Sequence, residues 1–419
     1  MPGQIRRRES RYNGKVSWQV RVPLPPGPDG KRRELIRTFR RRADAKAFLE
    51  DRRRDLRAGL ALEPTKTTLR QFLESWLETA ARPALRANTV ESYEDVLKLY
   101  VFPDLGDYRL DRLTPLLLQR WLGELSARGL GARTVRYTYS VLAAALKQAQ
   151  RWRLLAASPC AAVELPRRVR REMNALSPSE ARAFLAAAAG TRHEALFALL
   201  LAGGLRPSEA LGLLWSDLDL QRGVVTVQRS LVQTRGGRWE LAECKTERSR
   251  RTVPVPPAVV AALRRHRAAQ REQRVKVGGA WAETGLVFTN EVGGPLDRRN
   301  ILNRHFRPLL LKVRTPRGHV AECSSCTEAG WLRGRKLCET GAKLREEAAA
   351  EVAKFRLYDL RHTAATLLIL AGVHVKVVAE RLGHASAVMT LDVYSHVLPD
   401  MQADATDRLG GLLFGEASA

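Results

Sequence analysis

The ten residues 357–366 read LYDLRHTAAT, and they determine how the C-terminal half of the chain is interpreted. Leu367, Leu368 and Leu370 continue the stretch at helical spacing, so a helix is predicted to begin here. Asp359, Arg361 and His362 lie among the leucines and alanines of this stretch. A charged residue in apolar surroundings is a candidate for chemistry, because such side chains are seldom buried without a partner.

Two further segments place polar residues beside apolar helices. In GGLRPSEALG, residues 203–212, Arg206 follows a glycine pair that can form a sharp turn, and Glu209 lies one helical turn later. Glu209 could orient the Arg206 guanidinium through an ion pair, or the two residues could form a purely structural pair. The third segment is LGH at 382–384, with Tyr394 ten residues after the histidine.

The chain is strongly basic. Its 71 Lys and Arg residues against 44 Asp and Glu residues give a net charge of +27, with a pI near 10.8. A charge of this size repels itself, and the usual reason for carrying it is binding to a polyanion such as nucleic acid. An enzyme acting on acidic substrates, or a protein of membrane surfaces, explains the charge less economically.

Several classes of protein are not supported by the sequence. The longest apolar run, Ala195 to Leu205, has 11 residues, fewer than the roughly 18 that span a bilayer. The N-terminal residues lack the apolar core of a secretion signal. Five cysteines in 419 residues do not make a disulfide framework. We therefore expect a cytoplasmic protein of several domains with no membrane association.

The first 60 residues carry 18 Lys and Arg against 7 Asp and Glu. Val16–Val22 and Glu34–Phe39 alternate apolar and polar residues, as half-buried strands do, and Ala43–Leu56 suits a basic surface helix. We interpret residues 1–60 as a small α+β DNA-binding module. The alternative is a charged surface that is merely solvated.

The middle of the chain is predicted to be helical. Residues 57–67 are interpreted as a linker, and 68–163 as an all-α domain of four helices, the last from about Ala132 to Trp152. The basic run 167–171 is interpreted as a linker that lies on an anionic surface.

The remaining residues, 172–419, are predicted to be mainly α-helical with a small antiparallel sheet. Ser177 and Glu180 have the spacing of a capping box at a helix start. Short strands are expected at Gly223–Leu231, Trp239–Ala242 and Arg251–Val255.

Taken in order, these segments resemble the tyrosine recombinase (phage integrase) family. The family is marked by an Arg box, a hairpin lysine, an H-x-x-R box, an LGH-type box and a terminal tyrosine. The resemblance covers nearly the whole chain. It implies an arm-type DNA-binding domain at 1–60, a core-binding domain at 68–163 and a catalytic domain at 172–419, with an insertion at about 317–354.

The activity implied by the resemblance is site-specific DNA recombination, which integrates or excises a mobile element without metal or ATP. Breaking a phosphodiester in this way requires a nucleophile, an acid for the leaving oxygen, and cations near the phosphate oxygens. Tyr394 matches the family nucleophile, which forms a 3′-phosphotyrosyl intermediate and releases a 5′-hydroxyl. Lys245 matches the hairpin lysine, the general acid for that leaving oxygen.

The resemblance also assigns the residues that bind the phosphate. Arg206 and Arg361 match the two arginines that bracket it, and a guanidinium suits the fork geometry better than an ammonium. His384 matches a further hydrogen-bond donor, and Glu209 the acidic residue that supports the first arginine. The implied partners are double-stranded DNA attachment sites, three further copies of the chain in a homotetramer on DNA, and factors that bend DNA or set directionality.

One departure from the family lies in the H-x-x-R box, where this chain has Tyr358 in place of histidine. A phenol can donate or accept a hydrogen bond, but phenols ionise near pH 10 and are poor bases at neutral pH. The neighbouring His362 is interpreted as a structural residue of the helix.

A second departure is the insertion, which carries His319, Cys323, Cys326 and Cys338. These four residues could bind one structural Zn²⁺, since Cys₃His is a known tetrahedral ligand set. The alternatives are a reduced, exposed loop, or a helix from Lys343 to Lys354 that carries the insertion. Zinc would be structural, because the DNA chemistry needs no cofactor.

Two other functions compete with recombination. Residues 372–391 fit a helix-turn-helix loosely, so a non-catalytic DNA-binding regulator on the same fold would explain the charge. A type IB topoisomerase would use the same chemistry. The apolar tail from Leu398 to Phe414 needs a surface to cover it, either within the same chain or on a neighbouring protomer.

Overall fold

The computed structural model describes residues 4–9, 15–24, 33–57, 67–155, 157–168, 173–244, 249–384, 386, 388, 390–391 and 409. The chain divides into two compact units, Met1–Arg170 and Arg171–Ala419, called here the N-terminal and C-terminal units. In the described residues, no helix is both long and apolar enough to cross a membrane.

The N-terminal unit begins with a three-stranded antiparallel sheet. Its strands are β1 (Gln4–Glu9), β2 (Val16–Leu24) and β3 (Arg33–Phe39), in the order β1-β2-β3, and helix α1 (Arg42–Arg57) packs on it. The sheet and helix bury Val20, Val22, Ala45 and Leu49. Strand β1 was not predicted from the sequence, because its run of arginines has no apolar alternation; its backbone pairs with β2 nonetheless.

The rest of the N-terminal unit is helical. Two long helices each contain a π-helical turn, at Leu77–Ala81 and Leu97–Val101. Thr68 caps the first of them, as its sequence position predicts. The α-helical segments are α2 (Leu69–Trp76), α3 (Arg82–Ala84), α4 (Ala87–Val96), α5 (Phe102–Leu105), α6 (Pro115–Ala127) and α7 (Ala132–Arg151).

The C-terminal unit combines many helices with two small antiparallel sheets. The first helices are α8 (Pro178–Ala188), α9 (Glu194–Gly203) and α10 (Pro207–Leu211). The strands are β4 (Leu218–Asp219), β5 (Val224–Val227), β6 (Arg229–Gln233), β7 (Trp239–Glu243) and β8 (Arg251–Pro254). The later helices are α11 (Pro257–Val277), α12 (Arg298–Asn300), α13 (Arg307–Arg314), α14 (Arg317–Glu322), α15 (Glu328–Arg333), α16 (Glu339–Lys354), α17 (Asp359–Leu370) and α18 (Val375–Leu382).

The stretch 223–231, predicted as one strand, is two strands in different sheets. Strand β5 pairs with β4 and β8, whereas β6 pairs with β7. The buried residues Val225, Val227 and Leu231 keep the same alternation across the break at Gln228. Hydrophobic pattern alone therefore could not reveal the change of sheet.

Helix α9 is the central element of the C-terminal unit. Its side chains are buried almost throughout, and it packs against α11 and α17. Phe197 on α9 packs against Phe184, which also contacts Phe306, with ring centroids 5.3 and 5.4 Å apart. Burial on several sides fixes the C-terminal end of α9, where the Gly203–Gly204 turn leads into α10.

Candidate active site

Arg206 and Arg361 are brought together by the turn after α9. Gly204 ends that helix in the left-handed conformation, with φ of 64°, which costs glycine little strain. The turn places Arg206 at the N-cap of α10, while the Gly204 carbonyl accepts a hydrogen bond from Arg361 Nη1 at 2.8 Å. Two motifs therefore meet at one backbone carbonyl, through a contact between residues 157 apart in the sequence.

The C-terminal end of α18 gathers three guanidinium groups. Arg251 Nε donates to the carbonyl of Arg381 at 2.7 Å, and Arg361 Nη2 to that of Leu382 at 2.6 Å. Arg206 Nη2 donates to the Gly383 carbonyl at 3.5 Å. The last carbonyls of a helix lack partners within the helix and carry its negative dipole end, so they attract cations. His384 is the next residue after Gly383, so it lies beside the same helix end.

Glu209 is a buried carboxylate shared by two of these arginines. Its side chain is 4% exposed. It accepts from Arg206 Nη1 at 2.6 Å, and from Arg251 Nη2 and Nη1 at 2.8 and 3.3 Å. Burial disfavours the ionised carboxylate, but hydrogen bonds and charge from Arg251, and then charge from Arg206, hold the pKa of Glu209 below its ordinary value. We call Arg206, Arg251, Arg361 and Glu209 the guanidinium cluster.

The guanidinium cluster has a surplus of positive charge, since it contains three arginines and one carboxylate. Burial, and next the charge of Arg206, lower the pKa of Arg361 to about 10, so its guanidinium remains protonated at neutral pH. A guanidinium has five N–H donors, and two carbonyl bonds use only part of that capacity. The cluster is therefore suited to hold a tetrahedral oxyanion such as a phosphate.

His384 is held beside these arginines in its neutral form. Burial, followed by the charges of Arg361 and Arg206, lowers its pKa to about 4. Its Nδ1 lies 2.8 Å from the hydroxyl oxygen of Thr390, a buried residue. A neutral imidazole held at one nitrogen can use the other to bind a ligand.

Tyr358 lies at the N-cap of α17, one turn before Arg361, and its phenol is a hydrogen-bond and charge partner of Arg206. Its ring packs edge-on against that of His362, with centroids 5.1 Å apart. His362 is buried, and burial lowers its pKa to about 4. The geometry agrees with a packing role for His362.

Two of the predicted residues, Lys245 and Tyr394, lie outside the described residues. Lys245 belongs to the segment between β7 and β8. In the part of the chain that is described, β7 pairs with β6, and β8 with β5.

Sequence reasoning did not find Arg251. In the run Arg248–Arg251 it resembles a solvated charge, and nothing in the pattern distinguishes it from its neighbours. Its side chain is nevertheless only 7% exposed, because β8 turns it towards Glu209.

The insertion brings His319, Cys323, Cys326 and Cys338 together, and their ligand atoms all lie within 4.8 Å of one another. We call these residues the cysteine–histidine cluster. His319 Nε2 is 3.4 Å from the sulfurs of Cys326 and Cys338, which are 3.6 Å apart. The predicted helix over 343–354 is part of α16, which begins directly after Cys338.

Comparison with known proteins identifies related sequences along most of the chain. The model of the phage integrase family matches residues 174–320 and 332–401, more than half of the chain. The model of the phage integrase N-terminal SAM-like domain matches 68–126. The interruption at 321–331 falls within the predicted insertion and includes Cys323 and Cys326.

Similar proteins include a tyrosine recombinase XerC-like protein of Caldanaerobacter subterraneus, 28% identical over 96% of this chain and 97% of its own. An integrase of Streptomyces ambofaciens is also 28% identical, over 95% of this chain and 96% of its own. Among solved structures, the Tn1549 transposon integrase in complex with a circular intermediate DNA has a TM-score of 0.62. That likeness, at 20% identity, covers 82% of this chain and 100% of the other, and supports the fold.

The state of His384 predicts a pH dependence of stability. A histidine in the unfolded chain protonates near pH 6.5, whereas folded His384 stays neutral down to about pH 4. Protons therefore bind preferentially to the unfolded state between these values, and the free energy of unfolding falls as the pH is lowered from about 6.5 to about 4.

Urea unfolding of the DNA-free protein at a series of pH values measures this slope. We expect a shallower slope for His384→Asn than for the wild type. His193 and His362, whose pKa values burial also lowers to about 4, maintain part of the slope in both proteins. Equal slopes would contradict the prediction.

Proposed function

The chain belongs to the phage integrase family of tyrosine recombinases, and we propose that Arg206 and Arg361 of the guanidinium cluster, together with His384, bind the phosphate it cleaves. The protein is a site-specific recombinase, an enzyme that breaks and rejoins DNA strands. One observation carries the assignment to this cluster: Arg206, Arg361 and His384 converge on one helix end with excess positive charge. A non-catalytic regulator would not need this convergence.

The reaction is a transfer of the phosphate to a tyrosine. Tyr394 gives up its phenolic proton to water as its oxygen attacks phosphorus, and the P–O5′ bond breaks, giving a 3′-phosphotyrosine. Lys245 gives a proton to the departing 5′ oxygen. The 5′-hydroxyl of a second strand later attacks the phosphotyrosine and restores a phosphodiester, so the energy of the bond is kept and no ATP is consumed.

Arg206 and Arg361 neutralise the charge that builds on the non-bridging oxygens in the transition state. In the tautomer required by this role, His384 Nδ1 accepts from the Thr390 hydroxyl, and the proton of the neutral ring lies on Nε2, which donates to the same phosphate. The Tyr358 hydroxyl donates a hydrogen bond to the phosphate, and its oxygen accepts a hydrogen bond from Arg206. The contacts that hold Arg206, Arg361 and His384 are present without DNA, which supports a site that needs little reorganisation for the chemical step.

The other segments bind DNA around the cleavage point. Residues 1–60 act as an arm-type domain, supported by the exposed Arg6, Arg7 and Arg8 on β1. Residues 68–163 act as the core-binding domain, a four-helix unit, and 172–419 as the catalytic domain. Much of the net charge serves phosphate contacts, so affinity falls steeply with salt.

The proposed assembly is a homotetramer on paired attachment sites in the nucleoid of the cytoplasm, with accessory factors that bend DNA or set its direction. The apolar tail after Leu398, of which the structure describes only Leu409, links neighbouring protomers in this assembly.

The cysteine–histidine cluster holds one structural Zn²⁺ in this proposal, and catalysis needs no cofactor. With Zn–S near 2.3 Å and Zn–N near 2.0–2.1 Å, a tetrahedral site has edges of about 3.8 Å between sulfurs and about 3.5 Å between sulfur and nitrogen. The observed 3.6 and 3.4 Å are close to these values. Gly341 also fits the site, because a Cβ there would collide with Cys326 Sγ.

Zinc would stabilise the helix that leads to the active site. Cys338 is the N-cap of α16. The opposite end of α16 is fixed by Asn174, which donates to the Lys354 carbonyl, and by Arg307, which donates to the Ala353 carbonyl. Tyr358 follows a few residues later.

The nucleophile is tested by Tyr394→Phe. We expect this variant to bind an attachment-site DNA with wild-type affinity at the same salt concentration, but to form no covalent adduct on a nicked suicide substrate, because phenylalanine has no oxygen. The adduct is measured by denaturing gel electrophoresis. Unaltered adduct formation would refute the assignment.

The phenol in the H-x-x-R position is tested by Tyr358→Phe with Tyr358→His as its control. Loss of a hydrogen bond to a charged group is worth about 1.5–3 kcal/mol, so we expect about 10- to 100-fold slower cleavage in Tyr358→Phe. Tyr358→His keeps a donor and should cleave at least as fast as the wild type. Equal rates for all three proteins would make Tyr358 a bystander.

The metal is tested by zinc analysis of the purified protein. We expect one zinc per chain in the wild type and in Cys160→Ser, whose cysteine lies outside the cysteine–histidine cluster, and none in Cys326→Ser. EDTA should lower the melting temperature of the first two proteins only. A wild-type protein without stoichiometric zinc, and with melting unaffected by EDTA, would exclude the site.

A further inference from the structure

Arg251 contacts the guanidinium cluster from the buried side, away from solvent, and its contacts are those of a residue that positions the other members. Four hydrogen bonds fix its guanidinium: two to Glu209, one to the Arg381 carbonyl and one to the Ser249 carbonyl. It is almost fully buried, whereas the Arg206 side chain is 31% exposed. Arg206 therefore can reach a ligand, and Arg251 lies on the protein side of Glu209.

The two arginines divide the oxygens of one carboxylate. Glu209 Oε1 accepts the short bond from Arg206, and Oε2 accepts the short bond from Arg251 and a bond from the Arg206 backbone N–H at 2.9 Å. Without Arg251, Glu209 would keep a buried charge with Arg206 as its remaining side-chain donor in the described contacts. The carboxylate would then hold Arg206 more tightly and turn it from the phosphate.

Arg251 also connects two elements that carry proposed catalytic residues. It starts β8, directly after the segment that contains Lys245. Its bond to the Arg381 carbonyl fixes the last turn of α18, which sets the position of His384. Arg381 reinforces this contact, since its Nη2 donates to the Ala202 and Pro254 carbonyls at 2.9 and 2.8 Å.

We propose that Arg251 is a positioning residue for DNA cleavage, acting through Glu209 and the α18 carbonyl end to keep Arg206 and His384 directed at the phosphate. The inference rests on the proposed function of the cluster. It assigns Arg251 no contact with DNA, so it predicts an effect on the chemical step and none on DNA affinity.

The test measures single-turnover adduct formation at saturating suicide substrate, with DNA affinity and melting temperature measured beside it. A misplacement of about 1 Å can slow a reaction about 100-fold. We expect the rate of adduct formation in Arg251→Gln to fall by nearly that factor, with unchanged DNA affinity. Arg251→Lys should recover part of the rate, because lysine keeps the positive charge but lacks the planar guanidinium.

A matched control is Arg229→Gln. Arg229 also pairs with a buried carboxylate, Asp217, at 3.0 Å, and its side chain is 24% exposed, but it is not part of the guanidinium cluster. We expect this variant to lose stability and to keep the wild-type cleavage rate of the folded protein. A slowing equal to that of Arg251→Gln would show a general effect of ion-pair loss and overturn the proposal.

A double-variant cycle tests the route through Glu209. If Arg251 acts in part through this carboxylate, Arg251→Gln should slow cleavage less in a Glu209→Gln background than in the wild type, and the loss that remains should come from the broken bond to the Arg381 carbonyl. Losses that multiply would overturn the proposal. A wild-type protein that forms no adduct would refute the proposed function itself, whereas a normal wild type with a fully active Arg251→Gln would refute only this inference.

Discussion

The carbonyl end of α18 and the carboxylate of Glu209 hold three positively charged guanidinium groups close together. The candidate active site depends on these contacts. Three guanidinium groups close to one another repel, yet each donates to a consecutive carbonyl of residues 381–383. Glu209 supplies the balancing negative charge on the side away from solvent. The three arginines can therefore stay close together while the cluster keeps a net positive charge. A phosphate-binding site requires such a charge.

The rest of the C-terminal unit serves to position these partners. Buried α9 fixes the Gly204 turn, which offers its carbonyl to Arg361 and starts α10 at Arg206. The insertion adds a separately organised segment, with α16 running from Cys338 towards the H-x-x-R position. In the proposed function, the net charge of +27 therefore has two distinct uses, the general attraction of DNA and the binding of one phosphate.

The mainly helical fold class, most of the helices and the site motifs can be predicted from the sequence, because helical spacing, caps and motif order are local signals. Arg206, Glu209, Arg361 and His384 were chosen from motifs, and the structure brings them together. Arg251 was missed because its burial depends on a long-range contact with Glu209 that no local pattern encodes. Strand β1 and the division of 223–231 were missed for the same reason, since strand pairing is decided by distant partners. The distances within the cysteine–histidine cluster likewise depend on folding of the whole insertion.

The most direct test of this account is a structure of the protein trapped as the covalent intermediate on a suicide DNA substrate. The account predicts that Arg206, Arg361 and His384 each lie about 3 Å from non-bridging oxygens of the phosphate on Tyr394, while Arg251 stays bonded to Glu209. A phosphate held by other residues, or an Arg251 that leaves Glu209 to contact DNA, would contradict it.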